Sequence, residues 1–423
     1  MVQTDPVSSR QRVVMVATSY PRFDGDTVGT FMRPIATGLA ARGHEVHMVL
    51  PWHPRLERAP SHEGVHFHPF HYSPIDRWHV FGYAGALQAD VRLRGTALAV
   101  APAALVSGWR MARRVVRDID ATLVHGHWVV PGGAMAAWAA GSRPLVVSLH
   151  GSDVYVAERH WPARIAARQT LRRARAIVAC SDDLRQRAIG LGAAPSAIET
   201  VPYGVDTERF APDPGARARI RAAHGLHDDD AVVFAVGRFV RKKGFEYLIE
   251  AIAHLKTRVP TVHLILAGWG DLDPSLRSLA SRLGVSERVQ FPGLLSHDAV
   301  PEWLAAADAI AVPSIRDDAG NVDGLPNVVL EGLASGTPVV ATTAGGIASV
   351  IADGATGLLV AERDALGLAN ALARLLVDSG LRRRLGQEAR AAMERTGTWS
   401  RVIDRYEAAY ARAVAGGAAS DTH

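Results

Sequence analysis

Apolar residues fall into short unbroken runs along this chain, and each run is followed by a stretch with helical spacing. "RVVMVATSY" (12–20) reads as a strand, "FMRPIATGLAARG" (31–43) as a helix ending at Gly43, and "EVHMVLP" as the next strand. "ATLVHGHW" (121–128), "PLVVSLHGSD" (144–153) and "AIVACS" (176–181) continue the rhythm. After "VPYGVDTERFAP" (201–212) it restarts with "AVVFAVGRF" (231–239), "TVHLILAG" (261–268), "AIAVPS" (309–314) and "PVVATTAGG" (338–346). Strands that are apolar along their whole length and joined by helices predict parallel sheets covered on both faces. The expected fold class is therefore α/β, with two doubly wound domains, 1–205 and 206–397, facing each other across a cleft. In such sheets ligands bind at the carboxyl ends of strands, so the loops after strands are where chemistry is expected. "TWSRVIDRYEAAYARAVAG" (398–416) reads as an amphipathic helix with Trp399, Val402, Tyr406 and Tyr410 on one side. Periodicity does not say where that helix packs, and the tail "GAASDTH" is expected to fray.

Composition narrows the class. With 48% hydrophobic and 21% charged residues, the chain lies outside the disordered range. A single cysteine, Cys180, excludes an internal disulfide, and a cytoplasmic setting is the simplest expectation. "MVQTDPVSSRQR" has no apolar stretch of signal-peptide type. "ALAVAPAALV" (97–106) is interrupted by Pro102 and is far short of the roughly 20 residues that span a bilayer. Charge is uneven: the first 205 residues hold 23 Arg, no Lys and 15 Asp or Glu. That balance suggests an anionic partner for the first half, either a membrane surface or a phosphate-bearing acceptor; a merely Arg-rich surface explains it equally well.

Two loops of the second half point to an elongated anionic ligand. In "NVDGLPNVVLEGLASGTPVV" (321–340), Pro326 suits a first helical turn and Gly324 permits close backbone approach. The helix start offers free N–H groups and a positive dipole end. Glu331 lies about 7.5 Å further along the axis, and Asp323 lies on the other side of this anion site. A nucleotide-sugar, with sugar, pyrophosphate and ribose in that order, fits. In "GRFVRKKGF" (237–245), Arg238 and Lys243 stand just past a strand end and could clamp a pyrophosphate; a solvated basic turn is the plainer reading of that loop alone. In the first half, His150 of "LHGSDV", the strand-ending "HGHW" and the loop "DGDTVGTF" (24–31) supply three more strand-end segments.

Taken together, "RGHEVHMVLP", "HGHW", "PLVVSLHGSD", "VPYGVDTERF", "GRFVRKKGFEYLI", "VQFPGLL", "DGLPNVVLEGLASGTPVVATTAGG" and "DGATGLLV" make the chain resemble glycosyltransferase family four. The resemblance implies a retaining GT-B enzyme with two Rossmann-like domains, the N-terminal one for the acceptor and the C-terminal one for the donor, with helix 398–416 crossing back onto the first. It implies donor-phosphate binding by Arg238 and Lys243, backbone contacts from Gly324 and Leu325, and ribose binding by Glu331. His150 would lie beside the transferred sugar, as a catalytic group with Asp323, the first acidic residue of the family's Glu-(seven residues)-Glu motif. Gly29, His127 and Asp153 are assigned to the acceptor. Three departures stand out: Asp323 replaces a glutamate, Ala348 and Ser349 replace a common Pro-Glu, and "TVGTF" replaces a Gly-Gly loop.

The activity implied is sugar transfer from a nucleotide-sugar to a hydroxyl on a lipid-linked or cell-envelope glycan, without a cofactor or metal. The setting expected is cytoplasmic, peripheral on the inner face of a membrane. A double displacement would need two carboxyl groups about 5–5.5 Å apart, and the sequence assigns no such pair. "DID" (118–120) and "DLD" (271–273) resemble metal signatures, but they read as turn and cap residues. "HFHPFH" (66–71) could ligate zinc, while its alternation fits a strand with histidines outward. The Arg-rich "ERHWPARIAARQTLRRARAIV" (158–178) fits either an anionic membrane surface or a solvated face. No nucleic-acid motif is present. The competing functions are a silent nucleotide-sugar binder and a GT-B epimerase or phosphorylase. A dehydrogenase is disfavoured, because no G-x-G-x-x-G follows the first strand.

Overall fold

The computed structural model describes residues 10–418 apart from 27, 84–86, 89–91, 94 and 319; the tail from 419 lies outside the described residues. The chain divides into two compact units, one formed by 1–201 with 399–423 and the other by 202–398.

The first unit begins with β1 (Arg12–Val16), α1 (Met32–Ala41), β2 (Glu45–Pro51), β3 (Ser61–His62) and β4 (Val65–Phe70). A short ribbon of β5 (Leu87–Gln88) and β6 (Arg92–Leu93) precedes α2 (Gly95–Asp118), which runs through Pro102. Then follow β7 (Leu123–His127), α3 (Ala134–Ala139), β8 (Leu145–Leu149), α4 (Ser152–Arg159), α5 (Trp161–Arg173), β9 (Ala176–Ala179), α6 (Asp182–Gly190) and β10 (Ile198–Thr200). Eight strands form one sheet in the order β10-β9-β8-β7-β1-β2-β4-β3, parallel except for the β3 edge. The chain steps outward from β1 through β2 to β4 and then returns to β7 on the other side of β1. The switch point therefore lies between β1 and β7.

The second unit contains α7 (Pro214–Ala223), β11 (Ala231–Val236), α8 (Phe245–Leu255), β12 (Val262–Ala267), α9 (Asp273–Arg282), β13 (Val289–Gln290), α10 (Val300–Ala306) and β14 (Ala309–Val312). It continues with α11 (Asn327–Ala334), β15 (Val339–Thr342), β16 (Gly357–Val360), α12 (Ala365–Val377) and α13 (Ser379–Thr396). Its six strands are parallel in the order β13-β12-β11-β14-β15-β16, which puts the switch between β11 and β14. Caps set several helix starts: Asp213 accepts from Gly215 and Ala216 N–H, Asp364 from Gly367 and Asp378 from Leu381. Val233, Leu264, Ala309 and Val340 of the strands meet Leu248, Ile252 and Leu372 of the helices in its core.

The helix α14 (Trp399–Ala418) belongs to the first unit. Val402, Tyr406, Ala409, Tyr410 and Ala413, spaced at the helical period, join Met15, Ile35, Leu39 and Val146 in its core. The Arg-rich pattern of 158–178 is not one helix: it breaks at His160, and Pro162 lies in the first turn of α5.

Candidate active site

In the second unit, both loops singled out in the sequence leave the sheet at its switch point. After β11 the chain makes a tight turn over Arg241–Lys243 and enters α8 through Gly244. Gly244 has φ +62°, and a Cβ there would stand 2.0 Å from the Pro313 carbonyl oxygen. Ile315 N–H donates to the Lys242 carbonyl at 2.8 Å, so the lysine turn is docked on the loop that follows β14. That second loop runs through Asp323 to α11, with Pro326 at the N-cap rather than inside the first turn.

The two loops meet through charge. Lys242 Nζ lies 2.9 Å from Asp323 Oδ1, and Lys243 Nζ lies 2.7 Å from Asp323 Oδ2. Burial pushes the Asp323 carboxyl up, but the two ammonium groups override it and hold the group well below the usual carboxylate range. Glu331, one helical turn into α11, behaves in the opposite way. Burial pushes its carboxyl up to about 7 against the weaker pull of Arg209 and Lys243. Gly324 and Leu325 are buried between these two carboxylates in sequence, and Arg238 is exposed at the end of β11. Lys242 belongs to the same basic turn as Arg238 and Lys243 and is half of the cationic pair that meets Asp323.

In the first unit, the loops after β1, β7 and β8 converge on His150. Its Nε2 lies 3.1 Å from His127 Nδ1, with the two rings stacked. Phe31, just past Gly29, packs 4.7 Å from the His150 ring, and Trp128 packs 4.8 Å away. Gly29 itself has φ +67° and abuts Ser19, where a Cβ would stand 2.9 Å from the hydroxyl oxygen. Burial lowers the pKa of His127 to about 3 and takes His150 well below its ordinary value. Both are neutral imidazoles near pH 7.

Two acceptor assignments are corrected here. His127 is fully buried behind His150. Asp153 is also buried, its Oδ2 accepting from Val129 N–H at 2.7 Å and its Oδ1 from Gly151 N–H at 2.9 Å and His150 N–H at 3.3 Å. Burial raises the Asp153 carboxyl to about 6 despite these bonds. A carboxylate committed to three N–H groups does not present itself to a substrate; Asp153 holds the β8–α4 loop in shape. Beneath the pair, His125 bonds Tyr410 Oη through Nδ1 and Ser148 Oγ through Nε2, both at 2.8 Å, and Ser148 donates to Tyr406 Oη. Helix α14 thus props up the histidine stack.

The other sequence candidates have ordinary partners. Asp120 pairs with Arg12 and Arg143, and Asp273 pairs with Arg277 at the start of α9. His68 bonds His47, which in turn bonds Glu45. Among the described residues no group of three His, Cys, Asp or Glu is placed to hold a metal ion.

Comparison with known proteins adds a family. The sequence profile described as glycosyl transferases group 1 matches residues 216–392, and that of Glycosyltransferase Family 4 matches 28–209. A GDP-mannose-dependent alpha-(1-6)-phosphatidylinositol monomannoside mannosyltransferase of Mycolicibacterium smegmatis is 39% identical over 56% of this chain; the match covers 62% of that protein, under two thirds of its length. A D-inositol 3-phosphate glycosyltransferase of Xylanimonas cellulosilytica is 33% identical over 69% of this chain and 72% of its own. Among solved structures, Anabaena HepE in complex with UDP superposes with a TM-score of 0.76 at 20% identity, covering 95% of this chain and 99% of its own.

Proposed function

This chain belongs to glycosyltransferase family 4 and has the GT-B fold, and on that premise we propose that it moves a sugar from a nucleoside diphosphate sugar to a hydroxyl of a lipid-linked or cell-envelope acceptor, with retention at the anomeric carbon. The observation that carries the reading is the Lys242–Lys243–Asp323 cluster at the β11/β14 switch point, with Glu331 one turn further along α11. Arg238, Lys243 and the start of α11 would hold the diphosphate, Gly324 and Leu325 would approach it through their backbones, and Glu331 would bind the ribose hydroxyls. In the transfer, the bond from the anomeric carbon to the phosphate oxygen breaks and the bond to the acceptor oxygen forms on the same face. The acceptor proton passes to the departing phosphate. Positive charge then stabilises the leaving diphosphate, and no cofactor takes part. GDP-mannose is our first candidate donor and an inositol phosphate or phosphatidylinositol glycoside our first candidate acceptor, because relatives carry these in their names.

An anionic membrane is the second proposed partner, in a cytoplasmic setting. From Arg159 to Ser181 there are six Arg and no acidic residue. Arg173 turns back onto the Ala137 and Gly141 carbonyls, and Arg175 onto that of Ala413. Arg168 and Arg172 stay outward beside Trp161 and Ile165, which are 72% and 49% exposed, while the exposed Arg164 donates to the Glu158 carbonyl. Among the described residues no helix is long and apolar enough to cross a membrane.

The test is a thermal-shift and titration panel of GDP-, UDP- and ADP-sugars against wild type and Glu331→Ala, followed by product analysis of the anomeric configuration. One sugar nucleotide that stabilises wild type and fails to stabilise the variant supports the reading. No binding to any of them by the folded protein sinks it. Sedimentation with anionic and zwitterionic vesicles, using Trp161→Ala/Ile165→Ala, tests the membrane partner.

A further inference from the structure

The contact between Asp323 and the two lysines has more structure than a surface pair. The three side chains are only 12–17% exposed, and one carboxylate spans both ammonium groups at 2.9 and 2.7 Å. Both partners are fixed through their backbones. Gly244 and the Ile315 bond to the Lys242 carbonyl hold the lysine turn, while Gly345, with φ +58°, packs so closely that a Cβ would stand 2.0 Å from the Asp323 carbonyl oxygen. Residue choice points the same way. The chain has 44 Arg and three Lys, and two of those three lysines are this pair. A guanidinium grips a carboxylate through a rigid two-pronged fork, whereas an ammonium is a compact charge that exchanges one anion for another without reorienting.

We propose that Asp323 is an exchangeable counter-anion for Lys242 and Lys243: it holds them when no diphosphate is bound, yields them to the donor, and reclaims them as the nucleoside diphosphate product leaves. This rests on the donor-site reading above and gives it a release step. A diphosphate esterified at both ends carries two negative charges, which the two ammonium groups balance once Asp323 gives way. After transfer, the product's terminal phosphate carries up to one more negative charge near pH 7, so the retained carboxylate disfavours product more than donor. An aspartate in place of the family's glutamate is short enough to remain beside the lysine turn.

Calorimetric titration of GDP, UDP, ADP and their sugars into wild type and Asp323→Asn tests this. The variant is expected to bind the product nucleotide about tenfold more tightly, to bind the sugar nucleotide with a smaller change, and to show stronger product inhibition with lower kcat. Lys242→Met should weaken product binding more in the Asp323→Asn background than in wild type, because only in wild type is that lysine already engaged. Equal or weaker product binding by Asp323→Asn, or an identical Lys242→Met effect in both backgrounds, overturns the proposal while leaving the donor site standing. Failure of both wild type and variant to bind any nucleotide overturns both. Should Asp323→Asn not fold, Lys243→Arg is read instead: the fork is expected to retain the carboxylate and weaken product binding, and tighter or unchanged binding counts against the proposal.

Discussion

In the first unit the strand-end groups His127, His150 and Asp153 are buried among aromatic rings and backbone N–H groups, whereas in the second Lys242, Lys243 and Asp323 meet as charges in direct contact. One region removes charge by desolvation; the other concentrates charge and pairs it. Burial acts on both, since it also raises Asp323, but two ammonium groups within 3 Å outweigh it there. The first region thus presents neutral rings, and the second a cationic pair held by one carboxylate.

The largest test of that contrast is Lys243→Ala. Loss of a cation from the proposed leaving-group side should lower kcat/KM on the order of 10²–10³-fold, a larger loss than the destabilisation from leaving Asp323 to Lys242 alone accounts for; unchanged kinetics in the folded variant would break the comparison. The reverse is expected of Asp153→Ala. Three N–H groups lose their acceptor, so unfolding free energy should fall by roughly 2–4 kcal/mol, read by denaturant titration, with no selective change in acceptor KM.

Acid and base should separate the regions. His127 has a folded pKa near 3, below its unfolded value, so its stabilising contribution is complete above the unfolded pKa and is lost as pH falls towards 3. Glu331 is the opposite: with a folded pKa near 7 it favours folding at low pH, and that contribution is lost as pH rises from about 4.5 to 7. Glu331→Gln is expected to flatten the basic-side fall in a Tm-versus-pH series, and His127→Asn the acid-side fall. The smallest effect is expected from Tyr410→Phe, which deletes the hydroxyl bonded to His125 and should cost about 1 kcal/mol.

The strands and their order of appearance were legible because buried parallel strands are apolar throughout, and the loops that carry Lys243, Asp323 and Glu331 were legible as strand-end segments because each follows such a run. What escaped was direction. His125 and His127 alternate along β7 and so share a face, yet in a strand covered on both sides that alternation does not say what lies opposite; Tyr406 and Tyr410, from far along the chain, do. Asp153 looks from sequence like a strand-end ligand, and only the fold reveals the N–H groups that occupy it. Lys242 was legible as part of the basic turn, but its pairing with Asp323 was not, because the partner lies about 80 residues further along the chain. Phe31 and Trp128 joined the rings around His150 only through tertiary packing.

Helix α14 has a consequence for synthesis. Residues 202–398 form an uninterrupted segment that contains its own sheet and core, so it can close as it emerges from the ribosome. The first unit is made earlier but finishes later, because Tyr406, Tyr410 and their apolar neighbours must arrive before β1, β7 and β8 are covered and His125 has its partner. A nascent chain stalled before residue 399 therefore displays an open apolar sheet face, the state in which a chaperone would find it.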